Sequence, residues 1–180
     1  MTTDNRGLTL SGLDIEEAVT GYIECQLWAQ RDGLFDDGDT PEDIELARSN
    51  GAERLDEHGE CLDDFYGADD IDPAYIESVR AELIDFANAH PLAIRLYLNT
   101  TTVLGNMRNR HNSAQFGHDF YLTREHHGTG FWDRGLGDLG EYLTEQCQTY
   151  GEANYLLDGA VCSLPGQTFT TGTLYGNSAY

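Results

Sequence analysis

The chain has 180 residues and a formal net charge of −22 at pH 7, which comes from 32 Asp plus Glu against 10 Lys plus Arg. This charge excludes a general nucleic-acid binder, because phosphate binding depends on clustered basic side chains that release counterions. It also disfavours docking on an anionic membrane surface. With 39% hydrophobic and 11% aromatic residues, the chain can build a core, so we expect a single domain over residues 1–180.

Two helices are predicted before residue 50. The first covers about Leu13–Ala29, where Ser11 or Asp14 can cap it and the apolar residues fall on one face. The second covers about Pro41–Ser49, with the preceding threonine as N-cap and the proline as first helical residue.

An acidic insertion follows over about residues 32–72 and overlaps this second helix. It carries sixteen Asp or Glu and two Arg, a local balance of −14. The simpler interpretation is a solvated surface. The sharper one is that the carboxylates replace nucleic-acid phosphates, because DNA presents one charge per about 1.7 Å of its axis. The acids assigned to such a binding surface are Asp36, Asp37, Asp39, Glu42, Asp43, Asp56, Glu57, Glu60, Asp63, Asp64, Asp69 and Asp70.

A third helix is predicted over about Pro73–His90, with a narrow apolar stripe, and Pro91 ends it. Residues 92–98 fit a strand or a helix, with the helix favoured, and residues 99–115 predict a loop. The predicted core combines Val19, Ile23 and Leu27 with Ile76, Val79, Leu83 and Phe86, and with Phe120, Leu122, Phe131 and Trp132.

The third quarter of the chain predicts β-structure. His118–Arg124 and Gly130–Arg134 are rich in aromatic residues, and the segment between them suits a hairpin loop. A helix over Asp138–Tyr150 follows, with Tyr142 and Cys147 among its inward residues.

Two further strands, Asn154–Leu157 and Ala160–Leu164, are predicted around an Asp-Gly turn. Residues 165–180 predict either an edge strand or a loosely held tail. The predicted fold class is therefore α+β, with N-terminal helices packed on a small antiparallel sheet and one C-terminal helix.

The block Gly117–Gly135 is the most distinctive part of the sequence. It combines an aromatic–Leu-Thr-Arg run, a Gly/His loop and Gly-Phe-Trp-Asp-Arg. Here the chain resembles a family of small acidic proteins from bacteriophages and related mobile elements. The likeness extends to Tyr22–Trp28 and over Cys61–Leu157, although the family has glycine at the position of His126 and lacks most of residues 36–58. The resemblance implies a phage protein, and the family has no established activity to carry over.

The same block contains residue types that can hold a metal or move a proton, and a hairpin would bring its ends together. These residues are His118, Asp119, Glu125, His126, His127 and Asp133. Adjacent histidines point to opposite faces of a strand, and no HExxH, HxH or spaced carboxylate pair accompanies them. We favour a tight turn whose Phe131 and Trp132 pack in the core. A metal or acid–base site, and a binding hot spot of Trp132 and Arg134, stay open as alternatives.

The four cysteines lie far apart without CxxC spacing, which predicts free thiols in a cytosolic protein. No stretch reaches the roughly 18 apolar residues of a membrane span, and residues 1–11 lack the basic start of a signal peptide. We expect no cofactor, no bound metal and no membrane contact, and a location in the host cytosol.

The leading hypothesis is a non-enzymatic phage accessory protein that binds the basic nucleic-acid-binding surface of a host protein, without binding nucleic acid itself. As a nucleic-acid mimic it would inhibit a host defence protein, in the manner of anti-restriction or anti-CRISPR proteins. One alternative is a small hydrolase or nucleotide-handling enzyme built on the His118–Asp133 hairpin. Another is a structural or assembly component of a phage particle.

Overall fold

A computed structural model describes residues 9–30, 62–64, 66–104, 107–153, 155–158 and 173–177. The chain forms two compact units. The first consists of Met1–Cys25 and Ile76–Ala153, and the second of Gln26–Tyr75 and Asn154–Tyr180. The predicted helix Pro41–Ser49 and the predicted strand Ala160–Leu164 lie outside the described residues.

Helix α1 covers Ile15–Ala29 and confirms the first predicted helix. Asp14 caps it, because its Oδ1 accepts the backbone N–H groups of Glu16 and Glu17 at 3.1 and 3.2 Å. Such a cap satisfies N–H groups that have no partner within the helix. The predicted inward residues Val19, Ile23 and Leu27 are buried.

Two helices follow each other directly in the middle of the chain. Helix α2 covers Pro73–Ala89 and helix α3 covers Pro91–Asn99, and both agree with the sequence prediction. Pro91 separates them, because proline cannot continue the hydrogen bonding of α2 but suits the first turn of a helix. The apolar stripe predicted for α2 is buried at Val79, Leu83 and Phe86.

After α3 the chain forms two short antiparallel strands. Strand β1 (Thr101–Leu104) pairs with β2 (Met107–Arg110), with Thr101 opposite Arg110 and Leu104 opposite Met107. The predicted loop over residues 99–115 is therefore wrong. The β-branched residues that begin β1 favour a strand, and they outweigh the polar composition of the surrounding segment.

The largest correction concerns the predicted hairpin. His118–Arg124 is the last part of helix α4, which covers Ser113–Arg124. The side chain of Asn112 caps this helix by accepting the N–H of Gln115 at 2.8 Å. Residues 119–124 are all buried, so this part of the helix has no polar face from which its period could be read. Burial on all sides overrides the strand preference of its aromatic residues.

The second predicted strand of that hairpin is also wrong. Phe131–Asp133 forms one 3₁₀ turn, and helix α5 follows over Asp138–Gln148, where the sequence predicts a helix. Cys147 is buried as predicted, whereas Tyr142 is 42% exposed. The Tyr142 hydroxyl lies at the surface 2.9 Å from Nδ1 of His90, so its polar end stays hydrogen-bonded.

Helices α1 and α4 approach each other closely through glycine. A side-chain carbon on Gly21 would overlap the backbone of Ala114, and one on Gly117 would overlap the backbone of Ala18. A larger residue at either position would force the helices apart, so the two glycines set their separation.

An aromatic cluster fills the core of the first unit. The ring centroid of Phe86 lies 5.1 Å from that of Phe120 and 5.9 Å from that of Phe116. The ring centroid of Phe131 lies 5.2 Å from Phe116 and 5.6 Å from Tyr97. Tilted and edge-on pairs of this kind add about 0.5–1.5 kcal/mol each beyond the burial of their area.

The second unit contains strands β3 (Tyr155–Asp158) and β4 (Leu174–Asn177), which pair antiparallel with Leu156 opposite Gly176. The buried amide of Gln30 donates to the carbonyl of Leu156 at 2.8 Å and accepts its N–H at 3.0 Å. Gln30 therefore satisfies a strand edge that would otherwise leave buried backbone groups without partners. Strand β3 confirms the predicted strand Asn154–Leu157 over its described residues 155–157, and β4 confirms the edge-strand alternative within residues 165–180.

The described chain is mostly helical, so the predicted α+β class is wrong. Its regular structure consists mainly of α1–α5, with three short 3₁₀ turns. Within the described ranges the strands form two separate two-stranded ladders, and no antiparallel sheet supports the N-terminal helices. The aromatic residues of α4 and of the 3₁₀ turn favour strands, but both segments are helical in the packed fold. In the same ranges, no helix has both the length and the apolar character that a membrane crossing requires.

Candidate functional site

The carboxylate of Asp119 is the centre of a hydrogen-bond network in the first unit. Its Oδ1 accepts Nε2 of Gln115 at 2.8 Å, and Nε and Nη2 of Arg134 at 2.9 and 2.6 Å. Its Oδ2 accepts the hydroxyl of Tyr97 at 2.8 Å. These four bonds engage both carboxylate oxygens, three at Oδ1 and one at Oδ2, and Asp119 is fully buried. Asp119 is therefore a structural anchor that is shielded from solvent and bonded to neighbouring side chains.

The charge of Arg134 keeps this buried carboxylate ionised. Burial raises the pKa of Asp119, but the hydrogen bonds and the guanidinium charge lower it by more, so the pKa lies below its usual range. Nδ1 of His118 lies 3.7 Å from Oδ1, which is too long for a hydrogen bond. We therefore assign the lowering mainly to Arg134, whose own pKa is raised by the same pairing despite its burial.

Trp132 is 53% exposed, which contradicts its predicted place in the core. It lies in a turn formed by residues 128–134, called the Trp132 turn below. The preceding residue, Phe131, is fully buried and holds the turn against the aromatic core. Because one aromatic residue anchors the turn, the next one is presented to solvent.

Side-chain hydrogen bonds brace the Trp132 turn. Oγ1 of Thr123 accepts the N–H of Phe131 at 3.0 Å. The carboxylate of Asp133 accepts the N–H of Gly130 at 3.0 Å and the hydroxyl of Thr129 at 2.7 Å. A side-chain carbon on Gly130 would overlap Thr123, so only glycine allows this close approach. The exposed indole therefore stands on a rigid support.

A second buried centre surrounds Arg124 at the end of α4. Its guanidinium donates to Glu82 at 2.6 Å and to the hydroxyl of Tyr22 at 3.0 Å. It also donates to the carbonyls of Gly151 and Tyr150 at 2.8 and 3.2 Å. Burial alone lowers the pKa of Arg124, but these partners raise it above its ordinary value. Arg124 therefore holds together segments that are distant in sequence.

The residues predicted as metal or acid–base groups do not converge. His126 and His127 are exposed, and His118 and Asp133 are partly exposed. Across the described ranges, no three His, Cys, Asp or Glu side chains lie close enough together to hold a metal ion. The chain leaves α4 through His126 with a φ of 54°, a left-handed conformation that turns the backbone away from the helix.

Cys25 and Cys147 are free, buried thiols, as the spacing of the cysteines predicts. Burial raises the pKa of Cys25 to about 12 and also raises the pKa of Cys147. A reactive cysteine needs a stabilised thiolate. Neither side chain is therefore suited to nucleophilic catalysis.

The stability of the protein should depend on pH through the partly buried carboxyl group of Glu125. Burial raises the pKa of its carboxyl group, although the N–H of Ala153 donates to it and lowers the pKa in part. When folding raises the pKa of a carboxyl group, the folded state becomes less stable as the pH rises above the ordinary pKa of that group, which is 4.5 for Glu125. Glu125→Gln keeps an acceptor for Ala153 without the charge.

We expect Glu125→Gln to melt at a higher temperature than the wild type at pH 7, and the difference to narrow near pH 4. Circular dichroism melts at both pH values measure this. A variant that melts lower than the wild type at pH 7 would show that the carboxylate is stabilising.

Ion pairs engage most of the described arginine side chains of the first unit. The pairs are Arg80 with Glu16 and Glu77, Arg124 with Glu82, and Arg134 with Asp119 and Asp133. The exposed carboxylates outside these pairs are Glu17, Glu24, Asp85, Asp138, Glu141, Glu145 and Glu152. The described surface of this unit is therefore acidic, with Arg95 as its one exposed arginine outside these ion pairs among the described side chains.

Most acids of the predicted binding surface cannot be placed. Asp36, Asp37, Asp39, Glu42, Asp43, Asp56, Glu57 and Glu60 lie outside the described residues. Asp63 and Asp69 are exposed, Asp64 belongs to the 3₁₀ turn Leu62–Asp64, and Asp70 accepts the N–H of Gly67 at 2.9 Å. Arg134, predicted as a binding residue, pairs with the buried carboxylate of Asp119.

Sequence reasoning did not find Tyr97, Thr123 or Arg124 as parts of these networks. The one local sequence signal for the Asp119 network is the spacing of Gln115 and Asp119, which stand four residues apart and therefore share a helix face. Comparison of the chain with protein-family models, curated proteins and solved structures gives no match.

Proposed function

We propose that this protein is a non-enzymatic phage accessory protein that occupies the basic nucleic-acid-binding surface of a host protein, as a mimic of nucleic acid. The acidic insertion over residues 32–72 is the proposed contact, and a more general attraction comes from the acidic surface of the first unit. Three of its arginines pair with carboxylates of the same unit, while other carboxylates face solvent without such partners. A surface of this kind attracts a positively charged protein and repels nucleic acid.

The acidic insertion over residues 32–72 adds a local charge of −14. Its described members Asp63 and Asp69 are exposed. Closely spaced carboxylates can replace phosphates at the contacts that a nucleic-acid-binding protein makes with its natural ligand. The proposed targets are host defence proteins that handle nucleic acid, such as restriction or CRISPR nucleases.

Two properties of the described residues speak against the enzyme alternative. The segment His118–Asp133 is not a hairpin, and what lies where its ends meet is the structural ion pair of Asp119 with Arg134. Asp119 is fully buried, and both of its carboxylate oxygens accept hydrogen bonds from neighbouring side chains. No specific observation therefore favours a catalytic site there.

The proposal is tested by capture from a host lysate at about 50 mM and about 500 mM NaCl. A mimicked partner should be retained at low salt, released at high salt, and displaced at low salt by an excess of duplex DNA. Retention that is unaffected by duplex DNA would contradict mimicry. Failure to retain any nucleic-acid-binding protein at low salt would contradict the proposed partner class.

Trp132 is expected to strengthen binding to such a partner. An indole on a rigid turn loses little entropy on binding, and arginine or lysine side chains of the partner can stack on its face. We expect Trp132→Ala to weaken the affinity for the captured partner about tenfold or more, with little change in melting temperature.

Trp28→Ala is the matched control, because Trp28 is also a half-exposed tryptophan (55%) but lies outside the braced turn. Isothermal titration with the captured partner compares the two variants. Equal losses of affinity in the two variants, or no loss for Trp132→Ala, would show that the Trp132 turn does not contact the partner.

A further inference from the structure

Building on the proposed function, we infer that Trp132 takes the place of a nucleobase, so that the nucleic acid imitated by this protein is single-stranded rather than duplex. The indole of Trp132 is 53% exposed, whereas the preceding Phe131 is fully buried and anchors the turn. The protein therefore presents one aromatic side chain to a partner from an anchored position.

An exposed aromatic face distinguishes a single strand from a duplex. In a duplex the neighbouring bases cover each base face, and proteins reach only the edges of the bases in the two grooves. In a single strand the base faces are accessible, and proteins that bind single strands stack their own aromatic side chains on them. A mimic of duplex DNA therefore needs charge on its contact surface, whereas a mimic of a single strand needs charge together with an aromatic face.

A carboxylate stands beside the indole, as a phosphate stands beside each base of a strand. Asp133 follows Trp132 directly, and its side chain is 30% exposed. Arg134, the one arginine of the turn, directs Nε and Nη2 to the buried carboxylate of Asp119 at 2.9 and 2.6 Å. The positive charge of Arg134 is thus held by a buried partner, while the indole and the carboxylate of Asp133 reach solvent.

The backbone that carries the indole is held on its N-terminal side. The N–H groups of Gly130 and Phe131 each donate to a side-chain oxygen at 3.0 Å. A preorganised side chain loses little conformational entropy when it binds. Stacking one base on an aromatic side chain changes the affinity by about tenfold or more, so a single preorganised indole can replace one base.

The partner site that fits this arrangement is a positively charged groove with aromatic side chains along it. Such grooves follow the backbone of a single strand and stack its bases with little dependence on sequence. A cleft that holds a duplex has no place for an aromatic face between its phosphate contacts. The two kinds of partner site should therefore respond differently to nucleic-acid competitors.

The first test displaces the protein from its captured host partner at about 50 mM NaCl. The competitors are a DNA single strand, an abasic strand that keeps the phosphates without the bases, and a duplex, all at equal phosphate concentration. We expect the single strand to act at about tenfold lower concentration than the other two. If the duplex or the abasic strand acts as well as the single strand, the inference is overturned while mimicry stands. If none of them displaces the protein, the proposed function fails and the inference fails with it.

The second test separates stacking from the burial of an apolar side chain. Trp132→Phe keeps an aromatic face, whereas Trp132→Leu keeps an apolar side chain without one. We expect Trp132→Phe to retain most of the affinity for the captured partner and Trp132→Leu to lose about tenfold. Isothermal titration measures both affinities, and circular dichroism melts establish that both variants are folded.

The matched control is the same pair of substitutions at Trp28, which is 55% exposed on α1. Trp28→Phe and Trp28→Leu should bind the partner equally well, because this indole lies outside the braced turn. Equal affinities of Trp132→Phe and Trp132→Leu would overturn the inference, since an apolar side chain would then serve as well as an aromatic one.

Discussion

Replacing Asp119 by alanine is expected to lower the free energy of unfolding by about 3–5 kcal/mol, because the substitution leaves buried charged and polar groups without their partner. Arg134 loses the carboxylate that neutralises it, and the fully buried hydroxyl of Tyr97 loses its acceptor. Urea denaturation at pH 7 measures the change. A loss below about 1 kcal/mol would show that water replaces the carboxylate without difficulty.

Asp119→Asn is the matched control, because asparagine keeps nearly the same shape but removes the charge. We expect it to be less destabilising than Asp119→Ala, since its oxygen can still accept a hydrogen bond from Arg134 or Tyr97. A double variant with Arg134→Leu should lose less than the sum of the single losses, because the two side chains are directly coupled. Strict additivity would contradict the pairing.

The hydrogen-bond network of Asp119 should stabilise the folded state less as the solution becomes acidic. The pKa of Asp119 is lowered by folding, so the stabilisation is present above its ordinary value of 3.8 and is lost as pH falls through the lower folded value. Acid unfolding of the wild type should therefore steepen below about pH 4. Asp119→Asn lacks this proton equilibrium and should show a flatter acid limb.

The amphipathic helices, which have one solvent-exposed face, could be predicted from the sequence. In α1 and α2 the apolar residues recur at helical spacing, and Asp14 and Pro91 mark helix ends. Helix α4 could not be predicted in this way, because residues 119–124 are buried on every side and show no period. The predicted fold class is wrong for the same reason, because the aromatic residues of α4 and of Phe131–Asp133 favour strands in the sequence but lie in helical turns.

The sequence also singled out the right block for the candidate site but not its geometry. Arg134 and Trp132 belong to a region that is chemically distinctive, yet the local sequence does not show whether Phe131 or Trp132 faces solvent. Burial of Phe131 decides it, because a 3₁₀ turn that anchors one aromatic side chain presents the next outward. The partners of Asp119 on α3 and in the Trp132 turn are brought together only by the packed fold.

Removing four acids from the acidic insertion is expected to weaken binding to the captured partner by about tenfold to a hundredfold, which is about 1.4–2.7 kcal/mol. The variant is Asp36→Asn, Asp37→Asn, Glu42→Gln and Asp43→Asn in one chain. If these carboxylates replace phosphates, each one removed deletes an attraction to the basic surface. The melting temperature should stay the same or rise, because less negative charge remains to repel itself. Titration at about 50 mM NaCl measures the affinity.

The control removes four exposed acids elsewhere, by Asp138→Asn, Glu141→Gln, Glu145→Gln and Glu152→Gln on α5 and just beyond it. Both variants change the net charge equally, so any difference between them reports where the partner binds rather than how strongly the whole molecule attracts it. We expect the control to lose far less affinity and to keep most of the salt dependence of binding. Equal losses would mean that the net charge alone drives association. An unchanged affinity in the insertion variant would show that the insertion does not contact the partner. The Trp132 turn would then be the remaining predicted contact.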